Sequence, residues 1–391
     1  MNTIDKIKII RSTTVPLSLK VFCKGILKEL SVEYKVIALS SPGEELAEVA
    51  QREGVRVIAV PMERRISILK DCKSLLSMYR IFRKEKPIMV HSLTPKAGLL
   101  CMIAAWFCRV PVRVHTFTGL VFPISTGLKR RILMATDWLT CACATHIIPE
   151  GEGVKNDLIQ NGITKKPLKV LGFGNVRGVD MDYFSLKEDV IRKMEELKLH
   201  HEKLFTFLFV GRIVRDKGIN ELVKAFNRLD TECSNVRLIM VGAYEDSIDP
   251  ICEESRRIIQ ENENIIAVGA KLGDELLAYY AAADCYIHPS YREGFPNTVL
   301  EAGAMGLPSI VTDINGSREI IVEGENGVIV PSKSANALYE AMVNMIKDKS
   351  AREKMAGNAR QMIADRFEQG FVRKCLYDFY DEILAPYKDN S

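Results

Sequence analysis

Twelve short runs rich in β-branched and aromatic residues, spaced by helical stretches, constrain this chain more than any other feature. In the first half they fall at 6–12, 34–39, 55–60, 88–92, 112–116 and 145–148. In the second half they fall at 205–210, 236–241, 265–269, 285–288, 309–312 and 328–330. Runs this short, separated by amphipathic helices such as 70–84, have the β-α-β rhythm of parallel sheets covered on both faces. The rhythm pauses between 178 and 199, where Gly172-Phe173-Gly174-Asn175 gives way to a charged helix. At 391 residues the chain is long for one core and comfortable for two. The expected fold class is α/β, with two Rossmann-like parallel-sheet domains.

In open parallel sheets ligands sit beyond the carboxyl ends of strands, so the loops there are the ones to read. After the run at 285–288 comes Glu293-Gly294-Phe295-Pro296-Asn297-Thr298-Val299-Leu300-Glu301. Pro296 suits the first turn of a helix, which should stop at Gly306-Leu307-Pro308. The first amides of that helix, from Asn297 and Thr298 onward, lack internal partners and sit at the positive end of its dipole. That makes an anion site. Glu301 shares a face with Asn297 and Thr298, while Glu293 stands just outside the helix mouth. Two carboxylates so placed suit a ligand with hydroxyls on both sides of a phosphate, such as a nucleotide sugar. After the run at 205–210 comes Gly211-Arg212-Ile213-Val214-Arg215-Asp216-Lys217-Gly218. Arg212 offers a planar fork for a diphosphate and Lys217 a point charge, and together they can neutralise a leaving diphosphate without metal.

A Glu, seven residues and a second Glu, with Gly-Phe after the first, resembles the signature of retaining GT-B glycosyltransferases of the GT4 family. The strand followed by Gly-Arg, four residues and Lys-Gly is similar to a second element of that family. The resemblance implies two Rossmann-like domains facing across a cleft. Its extents would be an acceptor-binding domain at 1–178, a linker at 179–199, a nucleotide-sugar-binding domain at 200–365, and a last helix at 366–391 crossing back to the first domain. It further implies that Glu301 holds the ribose, Glu293 the donor hexose, and Arg212 and Lys217 the diphosphate. Gly211 and the amides of Phe295, Asn297 and Thr298 complete the phosphate cradle. Backbone groups of Ala270 and Lys271 hold the base, and His115 joins Glu293 beside the hexose. The donor would be UDP-linked and the transfer retaining, by a front-face route. Many relatives carry a glycine pair after the first strand; here the loop reads Ser12-Thr13-Thr14.

The segment His91-Ser92-Leu93-Thr94-Pro95-Lys96 resembles bacterial capsule and O-antigen transferases of that family. Thr94 and Lys96 at the start of an apolar helix make a second anion site, with His91 at the strand end. The resemblance assigns these three to an acceptor, a sugar on a polyprenyl diphosphate, at the cytoplasmic face of the membrane.

Charge is divided unevenly. Residues 1–178 hold 28 Lys and Arg against 14 Asp and Glu, a balance of +14; the remainder holds 26 against 36, a balance of −10. The first half should therefore meet something anionic. No nucleic-acid motif or aromatic-basic platform is present, so an anionic membrane surface or phosphorylated acceptor is expected. The apolar loop Leu120-Val121-Phe122-Pro123-Ile124, followed by Lys129-Arg130-Arg131, reads either as a peripheral membrane contact or as a loop tucked under the interdomain cleft. The longest apolar run, 97–108, is too short to span a bilayer, and the charged start at 1–11 does not read as a signal peptide. Ten cysteines without zinc spacing fit a reducing cytoplasm, with Cys141 and Cys143 as packed thiols. Asp180-x-Asp182 reads as structural, so no metal is expected. The absence of a G-x-G-x-x-G after any strand argues against a dinucleotide-dependent dehydrogenase. A GT-B sugar-nucleotide 2-epimerase and a non-catalytic sugar-nucleotide-binding protein are the alternatives.

Overall fold

The computed structural model describes residues 6–63, 67–199, 203–247 and 249–388. The start at 1–5 and the tail at 389–391 lie outside the described residues. Two compact units form, one from 1–178 with 370–391 and the other from 179–369.

The first unit runs β1 (Lys8–Ser12), α1 (Pro16–Phe22), α2 (Ile26–Glu33), β2 (Lys35–Ser40), α3 (Glu44–Glu53) and β3 (Arg56–Ala59). It continues α4 (Ile68–Glu85), β4 (Met89–Leu93), α5 (Pro95–Phe107), β5 (Val112–Phe117), α6 (Gly127–Cys143), β6 (His146–Pro149) and α7 (Glu152–Gln160). All its strands are parallel, in the order β3-β2-β1-β4-β5-β6. The chain winds outward to β3, returns to β4 and winds the other way, so helices cover both faces. Successive β1 residues serve opposite cores: Ile9 packs with α1–α3, Ile10 with α4–α6. The apolar run at 97–108 is α5, buried against the sheet.

The second unit runs α8 (Glu188–Glu196), β7 (Phe205–Val210), α9 (Ile219–Glu232), β8 (Val236–Val241), α10 (Glu253–Glu261), β9 (Ile265–Gly269) and α11 (Gly273–Ala281). It continues β10 (Cys285–His288), α12 (Asn297–Ala304), β11 (Ser309–Thr312), α13 (Ser317–Ile320), β12 (Gly327–Val330), α14 (Ala335–Lys347) and α15 (Lys349–Phe367). Its parallel sheet has the order β12-β11-β10-β7-β8-β9. α16 (Gln369–Lys388) then packs on the α1–α3 side of the first unit through Leu376, Phe379, Tyr380 and Leu384.

Two segments differ from the sequence reading. The stretch 179–199 is not a bare linker: Val179, Phe184 and Val190 enter the core of the second unit, and α8 packs on α11. The Arg360 guanidinium clamps this stretch, donating to the carbonyls of Met181, Phe184 and Ala304. The last helix expected from 366 does not start there: α15 runs to Phe367 and α16 begins at Gln369, because the chain is extended at Glu368, with φ −56° and ψ 136°.

The loops leaving β7 and β8 lie against each other. Gly211 N–H donates to the Val241 carbonyl at 2.9 Å, and a Cβ on Gly242 would stand 1.7 Å from the Gly211 oxygen. Only glycine permits that approach, and it fixes where Arg212 leaves the sheet.

Candidate active site in the second unit

β10 ends at His288, and the loop after it carries Ser290 and Glu293 to the mouth of α12. Pro296 is the residue before the helix rather than its first member, with φ −76° and ψ 103°, so α12 opens at Asn297. Gly218, at φ +71°, lets the β7–α9 loop press on this one; a Cβ there would meet the Pro289 carbonyl at 2.0 Å. That contact brings Lys217 to Glu293 across 76 residues of chain.

Three donors converge on one carboxylate oxygen. Glu293 Oε1 pairs with the Lys217 ammonium and accepts from His288 Nε2 at 3.0 Å and Ser290 Oγ at 2.9 Å. Oε2 makes no hydrogen bond among the described residues. Burial alone would push the Glu293 carboxyl up; the Lys217 charge and the His288 bond outweigh it and hold it well below the usual carboxylate range. Burial, aided by Lys217, lowers the His288 pKa even against the pull of Glu293, so the ring is neutral. Donating from Nε2, it presents Nδ1 to the Tyr286 hydroxyl 3.3 Å away. That hydroxyl also lies 2.7 Å from Thr298 Oγ1, tying β10 to the first turn of α12.

The other carboxylate, Glu301, is buried on the second turn of α12 and accepts from the Tyr280 hydroxyl at 3.1 Å. Arg212 Nη1 donates to Glu245 Oε2 at 2.7 Å, from the loop after β8. Burial alone would lower the Arg212 pKa, but the Glu245 bond and charge raise it. Both cations that could meet a diphosphate are thus already neutralised by a carboxylate. The Phe295 side chain is buried against Phe367, with ring centroids 5.4 Å apart, so only its backbone is left to meet a ligand. Ala270 is exposed after β9, and Lys271 pairs with Glu275 at 3.2 Å. Asp180 Oδ1 accepts from the amides of Asp182 and Tyr183, so the Asp-x-Asp pair closes a turn.

Sequence reading missed His288, Ser290, Tyr286, Glu245 and Tyr280. The nearest signal was spacing: His288 and Ser290 stand five and three residues before Glu293, at the end of a strand.

The candidates in the first unit have other surroundings. His115 lies inside β5, buried, its Nδ1 2.9 Å from Ser92 Oγ. A Cβ on Gly98 would stand 2.3 Å from its ring, so α5 carries glycine there to admit the imidazole. His115 is therefore held inside β5, packed against α5. His91 is also buried, between the Tyr380 hydroxyl and Thr116 Oγ1. Lys96 reaches both carboxylate oxygens of Asp71, at 2.7 and 2.6 Å. The Thr94 hydroxyl meets that of Thr14 at 2.8 Å, and Thr14 Oγ1 accepts from the Ala97 amide at 3.1 Å. Thr14 therefore serves the start of α5.

The apolar loop at 120–124 is not a bare tip. Phe122 is fully buried and Leu120 nearly so, both in the core beneath α5 and α6, with Val121 half-buried. Arg130 donates to Asn161 at 2.7 Å and lies over the Phe122 ring, whereas Lys129 and Arg131 are exposed.

Burial lowers the His115 pKa to about 3. The unfolded chain takes up this proton near pH 6.5 and the folded chain resists it down to about 3, so stability falls as pH drops through that window. His115→Gln should flatten that acid-side fall by about 1.4 kcal/mol per pH unit, read by urea unfolding at stepped pH.

Residues 191–362 match the family described as Glycosyl transferases group 1, and residues 26–174 match the Glycosyl transferase 4-like domain. The capsular polysaccharide biosynthesis glycosyltransferase CapM of Staphylococcus aureus is 34% identical over 352 residues, 88% of this chain and 89% of its own length. An Escherichia coli UDP-Gal:alpha-D-GlcNAc-diphosphoundecaprenol alpha-1,3-galactosyltransferase is 28% identical over 326 residues, 81% of each chain. Crystal structures of Anabaena Alr3699/HepE with UDP and with UDP-glucose superimpose with TM-scores of 0.79 and 0.78. Both are 16% identical and cover 96% of this chain and 100% of theirs. The chain belongs to the group 1 glycosyltransferases, with a GT4-like first domain and the GT-B fold.

Proposed function

We propose that this enzyme transfers a hexose or N-acetylhexosamine from a UDP-linked donor to a sugar on a polyprenyl diphosphate, in surface polysaccharide synthesis. The observation that carries the reading is Glu293, whose Oε1 is held by Lys217, His288 and Ser290 while Oε2 is left for a ligand hydroxyl. The named activities of the S. aureus and E. coli relatives, and the UDP-sugar bound by the Anabaena protein, support it. The diphosphate lies at the amides of Phe295, Asn297 and Thr298, within reach of Arg212 and Lys217. Glu301 holds the ribose, and backbone groups at Gly211, Ala270 and Lys271 border the nucleoside.

The chemistry follows from the charges. As the bond from anomeric carbon to phosphate oxygen breaks, Lys217 and Arg212 stabilise negative charge on the diphosphate, and ionised Glu293 faces positive charge on the sugar. The acceptor oxygen bonds the same face of that carbon, and its proton passes to the departing phosphate oxygen. Configuration is retained. Glu293 orients and stabilises; with its charge held by three donors it is a poor base. Thr94, Lys96 and His91 border the acceptor side as positioning groups, and the enzyme works at the cytoplasmic face of the membrane as a peripheral protein.

Offering the full chain a panel of nucleotide sugars, with and without a short polyprenyl-diphosphate sugar, tests this. Slow donor hydrolysis alone and label transfer to lipid with acceptor are expected. Conversion of one UDP-sugar to its epimer without acceptor overturns the reading. Turnover should also be unchanged by excess chelator, since two cations and a helix terminus serve the diphosphate. Loss on chelation, restored by manganese or magnesium, would overturn that cation assignment.

A further inference from the structure

One face of the first unit's sheet is covered by α4, α5 and α6, and their outer surface joins two features. The first is apolar exposure. On α6, Leu128 is 72% exposed, Ile132 42% and Trp138 56%. With exposed Ala135 and Ala142 they sit four, three, three and four residues apart, one stripe along the helix about 21 Å long. Trp106 and Phe107, more than half exposed, end the neighbouring α5, and Leu69, 86% exposed, begins α4.

The second feature is charge of one sign. The three helices carry nine Lys and Arg but only Asp71, Glu85 and Asp137 as acids. Asp71 is spent on Lys96. Glu85 is buried between Lys8 at 3.1 Å and Arg56 at 2.9 Å. Burial pushes the Asp137 carboxyl up to about 7. Lys73, Arg80, Arg83, Lys84, Lys129 and Arg131 meanwhile stand exposed. No carboxylate on these helices is left exposed to pair with them.

We propose that the outer face of α4, α5 and α6, centred on the Leu128–Trp138 stripe, docks on an anionic lipid bilayer. This rests on the reading of the enzyme as acting on a lipid-linked acceptor, and it moves the membrane contact from the 120–124 loop to the helices. Apolar side chains at helical spacing fit the acyl boundary, and the surrounding cations fit acidic headgroups. A second copy of the chain is a poor occupant, because face-to-face helices would bring like charges together. Nucleic acid would satisfy the cations and leave the stripe in water.

Trp106→Phe leaves Trp138 as the only tryptophan of a chain that has two. This variant should sediment with vesicles of phosphatidylcholine plus phosphatidylglycerol, not with phosphatidylcholine alone, and binding should weaken sharply as salt rises. Brominated acyl chains should quench Trp138 on binding. Leu128→Ser with Ile132→Ser should weaken vesicle binding at least about tenfold, as should Lys129→Ser with Arg131→Ser at low salt, each leaving donor hydrolysis intact. Arg130 is kept because it packs on Phe122. If the parent binds such vesicles while Trp138 stays unquenched and both double variants bind equally well, this surface is wrong and the membrane reading stands. If the parent does not bind vesicles, or binds only DNA or RNA, the docking surface and the membrane reading fail together. Donor hydrolysis in the same preparation tests the transferase reading separately.

Discussion

Glu293→Gln should lower turnover by about two orders of magnitude or more, equivalent to roughly 2.7 kcal/mol, while UDP affinity barely changes. The amide keeps the shape and can still accept from Ser290 and His288, but it removes the negative charge that faces the sugar. UDP lacks the hexose and should not sense the change strongly. The carboxyl is held well below its ordinary range, so it stabilises the folded chain above that range and loses its effect only as pH falls through the depressed value. Glu293→Gln should therefore also lower stability at neutral pH, read by thermal unfolding. Near-parent turnover would remove Glu293 from the site.

Lys217→Met should have a comparable or larger effect, with turnover reduced by about 10²–10³ and UDP bound more weakly. Lys217 and Glu293 are each 17% exposed, so removing the ammonium leaves a mostly buried carboxylate with only His288 and Ser290. Breaking a buried pair costs about 3–5 kcal/mol, and the residual exposure places this one toward the lower end. Combining Lys217→Met with Glu293→Gln should regain much of the lost stability and none of the activity, because no uncompensated charge remains. Four melting temperatures and four turnover numbers complete the cycle. A double variant destabilised by the sum of the two single losses would mean that the two side chains are not energetically coupled.

The two sheets were legible because β-branched and aromatic runs covered on both faces have little alternative to a parallel strand. Residues 205–210 and 236–241 begin and end where the sequence places them, and β1 and β4 differ by two residues or fewer. Less legible was anything set by packing between distant loops. Lys217 and Glu293 meet because Gly218 lets one loop press on Pro289, and Arg212 meets Glu245 because Gly242 lets another press on Gly211. Neither contact has a local signature. The 120–124 segment has the composition of an exposed tip and of a core plug alike; burial of Phe122 under α5 and α6 decides between them. The burial of His115 follows from its place inside a strand covered on both faces, and Gly98 supplies the space. The 179–199 stretch looked like a connection because α8 is highly charged, yet Val190 on that helix is buried in the core of the second unit.

The most direct test of the donor site is a crystal structure of the full chain with a UDP-linked hexose. The diphosphate should lie on the amides at the start of α12, with Arg212 or Lys217 turned from its carboxylate partner toward it. The ribose should meet Glu301, and a hexose hydroxyl should meet Glu293 Oε2. Hexose density away from the mouth of α12, with Glu293 out of contact with the sugar, would contradict the account.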